Sequence, residues 1–490
     1  MNRAKILLTI ALSVALWMSF QGRTLTVPFL VQLPQVTGDI SPKVPEIQSG
    51  AAAVIPAVIP PWRAPTVQFR SSLAGPIRLL ARPTSSALRA GMSGHVSILI
   101  SLEAPQIESK RRLPLNLALV IDRSGSMAAR NKLEYAKKAA KIVVGQMGPG
   151  DRFALVSFDS VSTVLLPSTP VTDPEAIYSV IDGLTPGGST NLSQGMADGK
   201  AEVLRFAKKD QVNRVLVMTD GLANYGETDP RVLARQAQGC GEGQIAITTL
   251  GLGADYNEDL LLSLAEYSGG RYYFIENPDQ MTSIYATEMK GLLKTVARNV
   301  RVSVQPLGGA SMERVIGYRG PAESNKGPFL LGDLSSGQTR RMVVPLNVSA
   351  LEPGIRKLMI ISGTYEDAVK GRPASFLGEV AIQVSNDPQV VSRSANLDVQ
   401  ERVASMGAAT RLEEAMIYLD RGQRAQAQSF LLDQVRALKD ANGRYRSATL
   451  SQQLTQMEGA ARALDKIPTQ SEDYRNFVKW NKFQAYQLSR

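Results

Sequence analysis

Between residues 113 and 297 the chain alternates short apolar runs with stretches whose apolar residues recur every three to four positions. Leu117-Ala118-Leu119-Val120-Ile121 and Val215-Leu216-Val217-Met218 are uninterrupted apolar runs, as expected of strands buried on both faces. Residues 153–158, 245–250 and 271–275 read as further strands. From 132 to 147, Leu133, Ala136, Ala140, Val143, Val144 and Met147 fall on one stripe, which predicts an amphipathic helix. Asp173-Pro174 and Asp229-Pro230 open two more helices, with Asp as cap and Pro in the first turn. Another helix is expected from Asn191 to about Ala207. This alternation predicts an α/β unit, a doubly wound and mostly parallel sheet covered on both faces.

The flanks carry a different pattern. In 67–112, strands are expected around 77–81 and 95–102, the second with Val96, Ile98, Ile100 and Leu102 on one face. In 298–390, residues 300–304, 341–346 and 358–361 read as strands punctuated by Gly and Pro, without an evident helix. Strands on both sides predict one β-sandwich into which the unit at 113–297 is inserted. Residues 394–490 form an α-helical region rich in Ala, Gln and Arg, with a hairpin at 412–421 and 425–439 around Gly422. Tyr418, Gly422 and Ala427 are loosely similar to a tetratricopeptide repeat, but no second copy follows at the ~34-residue period. Phe477, Trp480, Phe483 and Tyr486 recur at helical spacing and read as packed core. Residues 24–66 carry eight prolines, a density that no helix or central strand tolerates, and read as a semi-extended linker.

The net charge of +11 is unevenly spread. Residues 1–112 hold 12 basic and 4 acidic side chains, residues 394–490 hold 14 and 11, and residues 113–393 hold 29 of each. A neutral α/β unit argues against nucleic acid as a partner, which calls for a concentrated basic face. Arg3 and Lys5 precede an uncharged run at 6–20, with Arg23 beyond it. As a helix this run would span roughly 22 Å, short of a ~30 Å hydrocarbon core. Residues 1–23 are therefore expected to be a signal peptide or signal anchor. The protein would be exported, periplasmic or at the cell surface, with 6–20 available for association with the inner membrane. Cys240 is the only cysteine, so an internal disulfide and a thiolate metal cluster are both excluded.

Candidate chemistry lies where two strands end. Asp122-Arg123-Ser124-Gly125-Ser126 follows the first apolar run, and Asp220 closes the run at 215–219. Thr190 sits between them in the loop Gly187-Gly188-Ser189-Thr190-Asn191. Carboxylates and hydroxyls are hard oxygen donors, which suit Mg²⁺ or Mn²⁺ better than a soft metal. Asp-x-Ser-x-Ser, then a distant Thr, then a distant Asp resembles the metal-ion-dependent adhesion site (MIDAS) of the von Willebrand factor A (VWA) family. The resemblance covers 113–297, and more loosely 67–390 is similar to bacterial envelope proteins with an inserted VWA domain. It implies that Ser124, Ser126 and Thr190 bind the ion directly, and Asp122 and Asp220 directly or through water. It further implies binding rather than turnover, with Asp or Glu of a protein ligand completing the coordination.

Other readings are weaker. The helical tail could make the chain an assembly or regulatory subunit of an envelope complex. A metal-assisted hydrolase would need a base near the hydroxyl-rich site, where Asp159 is the sole extra candidate and reads as a loop residue. The single histidine, His95, lies outside the α/β unit, which argues against a Ser/His/Asp hydrolase. Asp255 to Glu266 mimics a calcium loop, but Leu260 stands where that loop needs Gly. Gly251-Leu252-Gly253 is followed by Tyr256 where a dinucleotide fingerprint needs its third Gly. The chain is accordingly expected not to be an enzyme.

Overall fold

Strand Leu115–Asp122 is buried along all eight residues, because it has parallel neighbours on both sides and helices above and below. Arg152–Phe158 pairs with one edge and Val212–Thr219 with the other. Ala246–Leu252 and Tyr272–Ile275 continue the parallel sheet beyond Val212–Thr219. Ser162–Pro170 closes the opposite edge antiparallel to Arg152–Phe158. Helices Lys132–Gly145, Pro174–Asp182 and Met281–Leu293 cover one face through Leu133, Ile177 and Met289. Leu192–Leu204, Pro230–Glu242 and Glu258–Ser268 cover the other through Met196, Leu233 and Leu264. This is the doubly wound α/β arrangement that the apolar pattern predicts. The computed structural model describes residues 70–490 apart from 74, 108–111, 323, 465 and 470. The expected signal segment at 1–23 and the proline-rich stretch at 24–66 lie outside the described residues. Among those described, no helix is long and apolar enough to cross a membrane.

Two further sheets face each other across a second core. Gly94–Glu103 pairs antiparallel with Thr339–Val348, from Gly94 opposite Val348 to Glu103 opposite Thr339. Arg78–Pro83 lines its other side. In the facing sheet, Thr295–Pro306 lies between Phe329–Ser335 and Gly354–Asp367, and Arg372–Ser385 follows. Val96, Ile98 and Ile100 from the first sheet and Val302, Ile361 and Val380 from the second share that core. Residues before the α/β unit thus complete a sheet begun by residues after it. His95 is exposed on Gly94–Glu103 and approaches no catalytic partner among the described residues.

Four helices end the chain, Leu397–Asp420, Arg424–Tyr445, Ala448–Leu464 and Glu472–Leu488, with Leu412, Leu431, Leu450 and Val478 in a core of their own. Val399 and Met406 also pack on Leu99 and Val343 of the sandwich. Glu472–Leu488 lies along the edge strand Tyr272–Ile275. Tyr486 is buried in the α/β core, Phe483 meets Tyr272 edge-on at 5.9 Å, and the Tyr486 hydroxyl accepts the Tyr272 N–H at 3.3 Å. An edge strand that would otherwise be open is thereby covered. The aromatic stripe is largely core, although Trp480 stays 41% exposed.

Residues 295–385 produced alone should give a collapsed, poorly dispersed NMR spectrum, because Thr339–Val348 would lose Gly94–Glu103 and expose its apolar face. In the full chain, Tyr486→Ala should lower unfolding stability by about 3 kcal/mol or more, the usual cost of emptying a buried aromatic site, as read by urea denaturation.

Candidate metal centre

Leu115–Asp122 and Val212–Thr219 run side by side with Ile121 opposite Met218, so their carboxyl ends bring Asp122 and Asp220 to the same rim of the sheet. The chain leaves the first strand towards Arg152–Phe158 and later crosses to Val212–Thr219 on the other side. Such a reversal opens a crevice beyond the strand ends. Thr190 arrives on the crossing connection, directly before helix Leu192–Leu204. That helix sits unusually close to the sheet. A Cβ on Gly199 would lie 2.5 Å from Val120 Cγ2, and one on Gly195 would lie 2.7 Å from the Phe158 ring. Main-chain bonds then stitch the loops together: Gly125 N–H to Gly188 O at 3.1 Å, Gly187 N–H to Arg123 O at 2.7 Å, and Asn191 N–H to Asp159 O at 2.7 Å.

The five predicted side chains converge on this rim. Asp122 Oδ1 accepts the Ser124 N–H at 2.8 Å, and its Oδ2 accepts the Thr219 hydroxyl at 2.5 Å. The Ser124 and Ser126 hydroxyls are 3.2 Å apart, and Ser126 donates to Asp220 Oδ1 at 2.7 Å. Thr190 closes the ring from the far side: a Cβ on Gly221 would lie 3.2 Å from Thr190 Oγ1 and 3.9 Å from Ser126 Oγ. Asp122 and Asp220 are fully buried, Ser124 and Thr190 nearly so, and Ser126 is exposed, so the cluster opens to solvent beside Ser126. Burial pushes the Asp122 carboxyl up to about 6, against the hydrogen bonds from Thr219 and Ser124, and the neighbouring Asp220 charge adds to the rise. Three hydroxyls and two carboxylates, gathered around one solvent-facing opening, fit a small hard cation.

Three participants escaped the motif. Thr219 holds Asp122, and its only sequence signal is a hydroxyl closing an apolar run. Asn224 Oδ1 accepts the Thr190 N–H at 2.9 Å and fixes the threonine loop. Lys132 donates to Asp220 Oδ2 at 2.5 Å, and its signal was a lysine at a helix start, where acids are preferred. Asp159 pairs with Arg123 at 2.5 Å and accepts the Val161 N–H at 2.9 Å, so it is committed to the loop. The acidic residues of the apparent calcium loop instead enter helix Glu258–Ser268, capped by Asn257.

Comparison with known proteins agrees with this fold. Residues 116–287 match the von Willebrand factor type A domain, and the α/β unit is a VWA domain. An uncharacterized protein of Synechocystis is 28% identical over 349 residues, covering 68% of this chain and 80% of its own. The uncharacterized YfbK of Escherichia coli is 28% identical over 249 residues, 50% of this chain and only 43% of its own. A solved von Willebrand factor type A protein from Catenulispora acidiphila matches 85% of this chain and 98% of its own, with a TM-score of 0.65 and 16% identity. That likeness is one of fold, and it extends well beyond the VWA domain. VWA domains commonly mediate protein interaction or adhesion, often with a divalent metal.

The Asp122 carboxyl fixes a pH dependence for the metal-free protein. Its folded value of about 6 exceeds the ordinary 3.8, so the native state holds a proton that the unfolded chain releases. This stabilisation is complete below about pH 4 and is lost as pH rises through about 6, a difference on the order of 3 kcal/mol. In EDTA, melting temperatures across that window should fall more steeply for the wild type than for Asp122→Asn, as read by scanning calorimetry.

Proposed function

We propose that this chain is a divalent-cation-dependent protein-binding or adhesion module of the cell envelope. The observation that carries the reading is the donor set itself: three hydroxyls and two carboxylates, one of them already paired with Lys132, opening to solvent beside Ser126. Ser124, Ser126 and Thr190 would hold Mg²⁺ or Mn²⁺, with Asp122 and Asp220 acting directly or through water. A bound ion would supply a positive centre with room for one further oxygen ligand, which Asp or Glu of a protein partner can provide.

The surroundings favour a protein partner over a small anion. Val161, Leu222 and Tyr225 are 60%, 54% and 54% exposed. Val161 stands on the Asp159 loop, and Leu222 and Tyr225 follow Asp220 on the loop whose Asn224 and Tyr225 N–H groups bond to Thr190 O. An exposed aromatic and two aliphatic side chains around a charged centre suit a buried acidic contact ringed by apolar ones. Binding without turnover is the better reading, since Asp159 is engaged by Arg123 and Val161. Export rests on Arg3, Lys5 and the uncharged run at 6–20. An assembly role through the tail is less favoured, because Phe483 and Tyr486 are spent on the VWA domain.

Calorimetry should find one Mn²⁺ or Mg²⁺ per chain, and Thr190→Ala or Asp220→Ala should weaken uptake at least about tenfold while leaving the circular dichroism unchanged. Capture of an envelope protein by the immobilised chain should vanish in EDTA, return with Mg²⁺, and be absent for Thr190→Ala. Capture indifferent to EDTA and to both substitutions would place recognition outside this site.

A further inference from the structure

Lys132 stands where helix physics disfavours a lysine. It opens helix Lys132–Gly145, and a cation in the first turn opposes the helix dipole. Asn131, immediately before it, makes no side-chain cap hydrogen bond. Arg130 and Asn131 are both left-handed, at φ 53° and 57°, conformations that cost free energy for non-glycine residues and gather at functional sites. Helix stability is thus given up to bring one ammonium against Asp220. The Nζ–Oδ2 distance is 2.5 Å, the lysine side chain is 12% exposed, and its partner is fully buried. Neighbouring cations are engaged elsewhere: Arg123 with Asp159 at 2.5 Å and Arg130 with Glu472 at 2.6 Å. The second oxygen of Asp220 remains with Ser126 at 2.7 Å.

We propose that Lys132 sets the charge of the site and thereby its preference for an anionic ligand. The inference rests on the metal-binding reading above. Two carboxylates and one ammonium leave a single net negative charge, which a divalent ion converts to a single net positive one. Without Lys132 the loaded site would be neutral. Lys132 therefore loosens the hold on the ion and tightens the hold on a carboxylate. It acts as a positioning and specificity residue that need touch neither ion nor ligand, since Asp220 stands between. Unit charges a few ångströms apart in a largely buried setting change affinity by at least about tenfold.

The test uses the full chain, with Mn²⁺ alone and then acetate as probes. Mn²⁺ is titrated by calorimetry, and acetate binding to the loaded protein is followed by Mn²⁺ electron paramagnetic resonance. Lys132→Met should bind Mn²⁺ about tenfold more tightly than the wild type and acetate about tenfold more weakly. Lys132→Gln should follow Lys132→Met, and Lys132→Arg, which keeps the charge, should match the wild type. Wild-type protein that takes up no Mn²⁺ would overturn the metal reading and this inference together. Normal wild-type uptake with unchanged Mn²⁺ and acetate affinities in both neutral variants would overturn the role of Lys132 alone. An arginine variant that behaves like the methionine one would also overturn it, because packing and not charge would then be responsible.

Discussion

Two carboxylates kept out of water, side by side, are the constraint to which the rest of the site answers. Asp122 and Asp220 are both fully buried at the ends of adjacent strands. Removing an ionised carboxylate from water costs several kcal/mol unless donors or an opposite charge compensate it. Here the Ser124 N–H and the Thr219 hydroxyl serve Asp122, while the Ser126 hydroxyl and Lys132 serve Asp220. Each donor comes from a backbone that the sheet holds in place. The glycines at 195 and 199 belong to the same requirement, because only a helix pressed onto Val120 and Phe158 brings Thr190 over the strand ends. Compensation is incomplete at Asp122, whose carboxyl rises to about 6. A positive ion would relieve that residue directly.

The same physics reaches the opposite outcome at the helical tail. Glu258, Asp259 and Asp420 come close enough together to suggest a cation site. Lys482 already bonds all three, and Lys479 pairs with Glu258. Burial alone would raise the Glu258 carboxyl, but the two ammonium groups outweigh it and hold it at about 2. Two ammonium groups from one helix thus offset most of the charge of three carboxylates, and these acids dock helix Glu472–Leu488. The pairs of Glu258 with Lys479 and Lys482 are largely buried, and such pairs add little net stability over apolar packing, yet they penalise any arrangement that separates them.

The α/β fold was legible because fully buried parallel strands are written as uninterrupted apolar runs, and 117–121 and 215–218 are such runs. That Asp122, Ser124, Ser126, Thr190 and Asp220 would lie together was legible because neighbouring parallel strands bring the loops after their carboxyl ends to one rim. Strand Ser162–Pro170 was not legible. It is an edge strand with mixed exposure and two prolines, Pro167 and Pro170, which only an edge can accommodate. Lys132 and Thr219 were hidden for another reason. Their importance lies in contacts with residues about 90 positions away, and no local periodicity encodes those. The aromatic stripe at 477–486 announced a buried face but not what would bury it, since its partner strand Tyr272–Ile275 lies some 200 residues earlier.

The attachments of the VWA domain respect the polarity of its sheet. Arg298 of the sandwich donates to Gln211 O at 2.6 Å and also reaches Lys209 O, and Arg214 pairs with Asp333 at 2.9 Å. These contacts gather around the start of strand Val212–Thr219, the end opposite Asp220. Arg112 forks onto Asp151 at 2.7 and 2.6 Å, beside the start of Arg152–Phe158. The sandwich thus grips the amino ends of the strands, where no oxygen cluster is needed. Helix Glu472–Leu488 runs past the edge, from Glu472 beside Arg130 to the terminal Arg490, whose carbonyl accepts the Arg341 N–H of the sandwich at 3.1 Å. The tail therefore braces the domain laterally without covering the carboxyl ends of the two central strands. The sandwich and the tail thus anchor one pole and one flank of the domain, and exposed Ser126 stands at the other pole beside the buried Asp220.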